Sequence, residues 1–195
     1  MTNTIETYFG DIGKQILIKD LFYGSLPSWQ ADPLVTLIDK ALEVGVTDIK
    51  QLAYILATAY HESGRFKYKE EFGKGSGRDY GVPGLVWRGK KEAWYGRGWV
   101  QLTWLGNYAQ FTAILSALTG RKIDLINHPE LIYENDEINS YITVVGMKEG
   151  LFTGKKLADY LGDDYEGARR IVNGTDKAAQ IAGYAKKFEE ALRYG

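Results

Sequence analysis

Glu62 follows His61 at the end of a strongly apolar stretch, and Glu70 and Glu71 stand side by side a few residues later. A carboxyl held against neighbours such as Ala57, Ala59 and Tyr60 has its charged form disfavoured, which suits a general acid working near neutrality. A helix-end glutamate pointing into water is the other reading, and from this feature alone it is the commoner one. Two carboxylates flanking a cleft are the minimal equipment for glycoside hydrolysis, whereas adjacent glutamates on a loop are otherwise solvated charge. The densest local pattern is Tyr95-Gly-Arg-Gly-Trp-Val-Gln-Leu-Thr-Trp-Leu-Gly-Asn-Tyr108. Its glycines allow close backbone approach, and Tyr95, Gln101, Thr103 and Asn107 offer the mixed donors and acceptors that hydroxyl and N-acetyl groups demand. Equally, Asn107 could cap the next helix and Gln101 could satisfy buried backbone.

Other motifs fail on their own chemistry. His61-Glu62 begins like a zinc-protease helix, but the second histidine, four residues on, is replaced by Arg65, so no catalytic metal is expected. Gly150-Leu-Phe-Thr-Gly-Lys155-Lys156 is one residue short of a phosphate loop and carries Lys where magnesium needs a hydroxyl. Gly96-Arg97-Gly98 lacks the third glycine of a dinucleotide fingerprint. His128 before Pro129 reads as a loop or capping residue. No cofactor is expected.

The elements that must position these groups are mainly helical. Asp32-Pro33 reads as an N-cap and first helical position, followed by Leu34, Leu37, Ile38, Ala41 and Leu42 at helical spacing until Gly45. Thr47 can cap a second helix, in which Leu52, Ala53, Ile55, Leu56, Ala59 and Tyr60 make it apolar nearly all round, as a buried helix should be. It runs out at His61-Glu62-Ser63-Gly64. From Lys67 to Arg97 the glycines, tyrosines and tryptophans predict a long loop or small hairpin lobe, and loops of that length in compact domains are usually functional. Helical spacing resumes at Tyr108–Leu118, closed by Gly120, then weakly over Asn135–Met147, and strongly after Thr175 with Ile181, Ala185, Phe188 and Leu192.

Composition bounds the rest. The 195 residues, 45% hydrophobic and 25% charged, fit one globular domain spanning 1–195, with no repeat or linker to mark a second. A net charge of -1 gives no global field to gather polyanions, so nucleic acid is not an expected partner. With no cysteine, thiolate catalysis and disulfide scaffolding are excluded. The N-terminus lacks the basic start and apolar run of a signal peptide, and no segment reaches the ~18 apolar residues of a membrane span. These features predict cytoplasmic synthesis and no stable membrane insertion.

The run Ala57-Thr-Ala-Tyr-His-Glu-Ser-Gly-Arg-Phe66, then Tyr95 to Trp104 with Asn107-Tyr108, resembles the family 19 glycoside hydrolases, the plant-type chitinases and their bacteriophage endolysin relatives. Asp124–Leu131, Gly150–Leu157 and Arg169–Asp176 look like downstream blocks of the phage and bacterial branch, so the resemblance runs from about Leu34 to the C-terminus. It implies a bilobal, mainly α, lysozyme-like fold with a small loop or hairpin lobe. It also implies an inverting hydrolase of β-1,4-linked chains containing N-acetylglucosamine, peptidoglycan first and chitin second. By the same resemblance Glu62 is the general acid and Glu71, nine residues later, the general base, with Glu70 as the alternative. Thr103 would hold the water. His61, Tyr95, Arg97, Gln101, Asn107, Tyr108 and Asn173 lie in matching motifs and would contact substrate or order the base. A basic residue that many relatives place in the last helix is absent from Gln180-Ile-Ala-Gly183. An endolysin reading further implies a monomer that reaches the cell wall after holin-type release, while a silent sugar-binding or virion protein on the same fold predicts a missing acid or base.

Overall fold

The computed structural model describes residues 3–80, 93–160 and 164–195. Among them seven α-helices run in the order α1 (Ile5–Asp20), α2 (Ser28–Glu43), α3 (Ile49–Glu62), α4 (Leu105–Thr119), α5 (Leu131–Glu134), α6 (Asp136–Glu149) and α7 (Ala178–Leu192), with 3-10 turns at Leu157–Tyr160 and Gly167–Ile171. The mainly α expectation holds. The hairpin lobe is reduced, among the described residues, to isolated antiparallel bridges pairing Glu70 with Arg97 and Arg97 with Leu102. Residues 81–92 of that segment lie outside those described.

Two apolar cores give the molecule its two lobes. One gathers α1, α2, α3 and α7 around Phe9, Leu37, Ile55 and Phe188. The other gathers α4, α5 and residues 93–102 around Trp94, Tyr108 and Phe111. Helix α6 serves both: Val144 and Met147 enter the first core, Ile138, Tyr141 and Ile142 the second. A helix asked to pack on both sides is buried all round, as residues Ile138–Met147 are.

Helix ends correct several expectations. Asp32 does not cap α2, which begins at Ser28 behind Pro27 and carries Pro33 inside it. Pro33 forfeits its own backbone donor there, a local loss that the buried Leu34, Leu37 and Ile38 outweigh. Helix α3 is capped by Asp48 rather than Thr47, because the Asp48 carboxylate reaches the amides of both Lys50 (2.9 Å) and Gln51 (3.0 Å). Asn107 does not cap α4; its Nδ2 donates to the Thr103 carbonyl at 2.8 Å.

Helix α1 was not evident from the sequence. Its buried positions Ile5, Phe9, Gly13 and Leu17 recur every four residues, but the third is a glycine and breaks the apolar stripe. Glycine is required there, since a Cβ on Gly13 would lie 2.3 Å from the Ala191 carbonyl oxygen of α7. Bare backbone lets α1 lie directly against α7 and clasp the helix that packs on α3.

Candidate active site

Helix α3 is buried from Leu52 through Tyr60 and reaches solvent at its two ends, and at the C-terminal one His61 and Glu62 emerge. The chain then reverses sharply. Gly64, Arg65 and Phe66 are all left-handed, with φ of 57°, 67° and 64°, and two such non-glycine residues cost on the order of 1–3 kcal/mol each. The turn is over-determined by its surroundings. Ser63 Oγ donates to the Ala59 carbonyl and accepts from the Phe66 amide, Gln30 Nε2 donates to the Arg65 carbonyl, and Phe66 packs edge-on against Trp99. The reversal carries the following residues back across the mouth of α3.

Glu70 and Glu71 are then pinned to the glycine-rich segment. The Glu71 amide donates to the Gly96 carbonyl (2.8 Å), and the Gly98 amide to the Lys69 carbonyl (2.9 Å). Gly98 must be glycine: its φ is +80°, and a Cβ would lie 2.6 Å from Asn139 Oδ1. That oxygen accepts the Trp99 amide at 2.8 Å and ties the segment to α6. Lys69 adds an ion pair to Asp136 at the start of α6, 2.6 Å.

The result is an open cleft of about 450 Å³ lined by His61, Glu62, Glu70, Glu71 and Gln101, with Tyr68 and Phe72 at its lip. Glu62, which the sequence placed against apolar neighbours, instead meets a guanidinium: Arg169 Nη1, in the 3-10 turn before Asn173, donates to Glu62 Oε1. Arg169 is 3% exposed, and its Nε donates to the Asp176 carbonyl at 2.9 Å. A buried arginine needs such a carboxylate, because removing one member of a buried pair costs ~3–5 kcal/mol.

The other two carboxylates are held differently. Glu71 Oε1 accepts from Tyr80 Oη (2.8 Å), its Oε2 accepts from the Gly96 amide (3.0 Å), and Arg78 stands 3.5 Å away. Glu70 accepts from Tyr95 Oη, with Lys74 Nζ at 3.5 Å. Burial, reinforced by donation to Glu70, pushes the Tyr95 phenol up to about 12, so it remains a donor across the physiological range. Burial holds His61 below the usual imidazole range, and its ring tilts over Tyr184.

Of the expected substrate contacts, His61 and Gln101 line the cleft, and Tyr95 reaches it through Glu70. Arg97 and Tyr108 do not touch it. Arg97 is 5% exposed, its guanidinium lying 3.5 Å from the centre of the Tyr95 ring and donating to the Ala93 carbonyl and to Tyr108 Oη. Tyr108 Oη in turn donates to the Tyr95 carbonyl at 2.7 Å. Both support the cleft from beneath. Asn107 is turned onto the Thr103 carbonyl, and exposed Asn173 accepts from the Gly174 amide. Sequence reasoning missed Arg169, Tyr80, Tyr68 and Phe72; the tandem Arg169-Arg170 beside the Asn-Gly motif was the one signal for the first. No group of three or more His, Asp or Glu side chains able to hold a metal occurs among the described residues.

No protein-family model matches the chain. By sequence it is 29% identical over 133 residues to an endochitinase of Arabidopsis thaliana, a stretch that covers 67% of this chain and 41% of that relative. The chain therefore spans less than half the length of this curated relative. Among solved structures it superposes on chitinase C of Streptomyces griseus HUT6037 with a TM-score of 0.59 at 17% identity, covering 95% of this chain and 70% of that one. It also superposes on a class IV chitinase of Zea mays, with a TM-score of 0.59 at 16% identity, covering 97% and 92%.

Proposed function

The chain carries the fold of the family 19 glycoside hydrolases, and from that premise we propose that it cleaves β-1,4 bonds next to N-acetylglucosamine in bacterial peptidoglycan by an inverting acid–base mechanism. The observation that carries this reading is the meeting of Glu62 and Glu71 in one open cleft, delivered by different segments of chain. Glu62 is the acid. Arg169 occupies its Oε1, so the proton passed to the glycosidic oxygen as the bond from that oxygen to the anomeric carbon breaks leaves from Oε2, and the guanidinium then stabilises the carboxylate that remains.

Glu71 is the base. With Tyr80 on Oε1 and the Gly96 amide on Oε2, each oxygen keeps a second lone pair, and one takes a proton from water attacking the opposite face of the sugar. An inverting mechanism needs roughly 6.5 to 9.5 Å between its two carboxyls to leave room for that water; Thr103, expected to hold the water, is not among the residues that line the cleft. Adding water and breaking one bond balances the step. His61 and Gln101 hold the sugar on either side. A catalytically silent sugar-binding role fits poorly with an acid and a base both retained.

Chitin is the second reading, favoured because the relatives found by sequence and by structure are named chitinases. Mass spectrometry of products formed from purified peptidoglycan, and separately from chitin oligosaccharides, decides between them. Reducing-end muropeptides are the expected result. Cleavage of chitin alone would replace the first reading with the second, and no product from either would overturn both.

A further inference from the structure

Beyond the cleft lies a second open groove of about 440 Å³, sharing Tyr68, Glu70, Glu71 and Phe72 with it and closed at the far side by Tyr133. Two features there are unused by the chemistry above. Phe72 is 79% exposed, a large apolar ring tilted at 59° against Tyr68, with centroids 4.9 Å apart. Lysines flank this pair on either side.

Lys67 Nζ lies 5.1 Å from the centre of the Tyr68 ring and, among the described residues, has no carboxylate partner. Lys74 sits at φ 50° between Gly73 and Gly75, in a turn closed by its amide donating to the Glu71 carbonyl (3.0 Å). That turn points Lys74 into the same groove, with its side chain two-thirds exposed. Five cations, Arg65, Lys67, Lys69, Lys74 and Arg78, fall between positions 65 and 78 of a chain whose net charge is only -1. Along the groove itself three lysines meet two carboxylates: Lys69 pairs with Asp136 and Lys74 lies 3.5 Å from Glu70, which leaves Lys67 with no carboxylate partner among the described residues and a net positive lining.

We propose that Lys67 and Lys74, on either side of the Tyr68–Phe72 pair, form a subsite for the carboxylates of a peptide borne on the glycan, with the aromatic pair receiving the apolar face of the sugar or of the peptide's linker. An uncharged N-acetylglucosamine polymer has no group that such cations would favour, whereas the acidic stem peptide of peptidoglycan does. This subsite rests on the peptidoglycan reading for its biological ligand, but its binding preference is measurable without cleavage.

The test is calorimetry on the folded Glu62→Gln protein with three ligands: a disaccharide carrying its stem peptide, the same disaccharide after the peptide has been removed, and chitotetraose. Two exposed charge contacts predict that the peptide-bearing ligand binds about tenfold more tightly than the stripped one at low salt, with the preference vanishing in 0.5 M NaCl because exposed ion pairs are screened. K67Q/K74Q abolishes the preference and K67R/K74R restores it. Phe72→Ala weakens the peptide-bearing and stripped disaccharides alike. Equal binding of those two ligands, or a preference that survives K67Q/K74Q, would overturn the subsite. If the active protein cuts only chitin while the preference stands, the peptidoglycan reading falls and the subsite does not. If it cuts peptidoglycan with no preference, the subsite alone falls.

Discussion

Glu62→Gln lowers turnover at least ~10²-fold while the protein stays folded. The amide matches the carboxyl in shape and keeps an oxygen to accept from Arg169, but it has no proton to give to a leaving oxygen. Glutamine is a cleaner probe than alanine, because Glu62→Ala would strand the guanidinium of Arg169 in a site where it is 3% exposed and cost several kcal/mol of stability, about 3–5 by the usual scale of broken buried pairs. Steady-state turnover on solubilised glycan, with far-UV circular dichroism of the same preparation, makes the check. Unchanged turnover in a folded variant would remove Glu62 from the chemistry.

A comparably large loss is expected for Glu71→Gln and a much smaller one for Glu70→Gln. Glu71 accepts from two different donors, and the Gly96 amide can only donate. In the glutamine variant the side-chain oxygen therefore turns to Gly96 and the amide nitrogen to Tyr80, whose hydroxyl can accept. The fold tolerates that exchange, but no oxygen remains basic enough to take a proton from water, and turnover falls at least ~10²-fold. Glu70 is bound by Tyr95 and stands beside Lys74. Its substitution perturbs the groove rather than the water, and the loss stays below about tenfold. The opposite ranking of the two variants would transfer the base role to Glu70.

The sequence made α3 legible because a helix apolar on every face has only one place to go, the centre of the molecule, and its end must then open on a surface. Glu62 stands out because it ends that helix, whereas Glu70 and Glu71 stand out only as a pair at the start of the glycine-rich return, and the choice of Glu71 rests on the resemblance to family 19. What could not be read is long-range. Arg169 reaches Glu62 across 107 positions of chain, and nothing periodic encodes such a meeting. Arg97 and Tyr108 carry polar groups typical of a sugar contact, but their hydrogen bonds are spent inside, on Ala93, Tyr95 and each other. Composition cannot separate a tyrosine that binds sugar from one that closes a core. The start of α2 was misplaced because Asp-Pro is a good opening for a helix, and only packing reveals that this helix opens five residues earlier.

The central claim is that one carboxyl gives a proton while the other activates water from the opposite face of the sugar. Proton NMR of the newly formed reducing end, recorded within minutes of mixing enzyme and a β-1,4-linked substrate, reads this directly. The account predicts that the α-anomer appears first and then mutarotates to the equilibrium mixture. Initial appearance of the β-anomer would mean a double displacement through a covalent intermediate, and would contradict the roles given to Glu62 and Glu71.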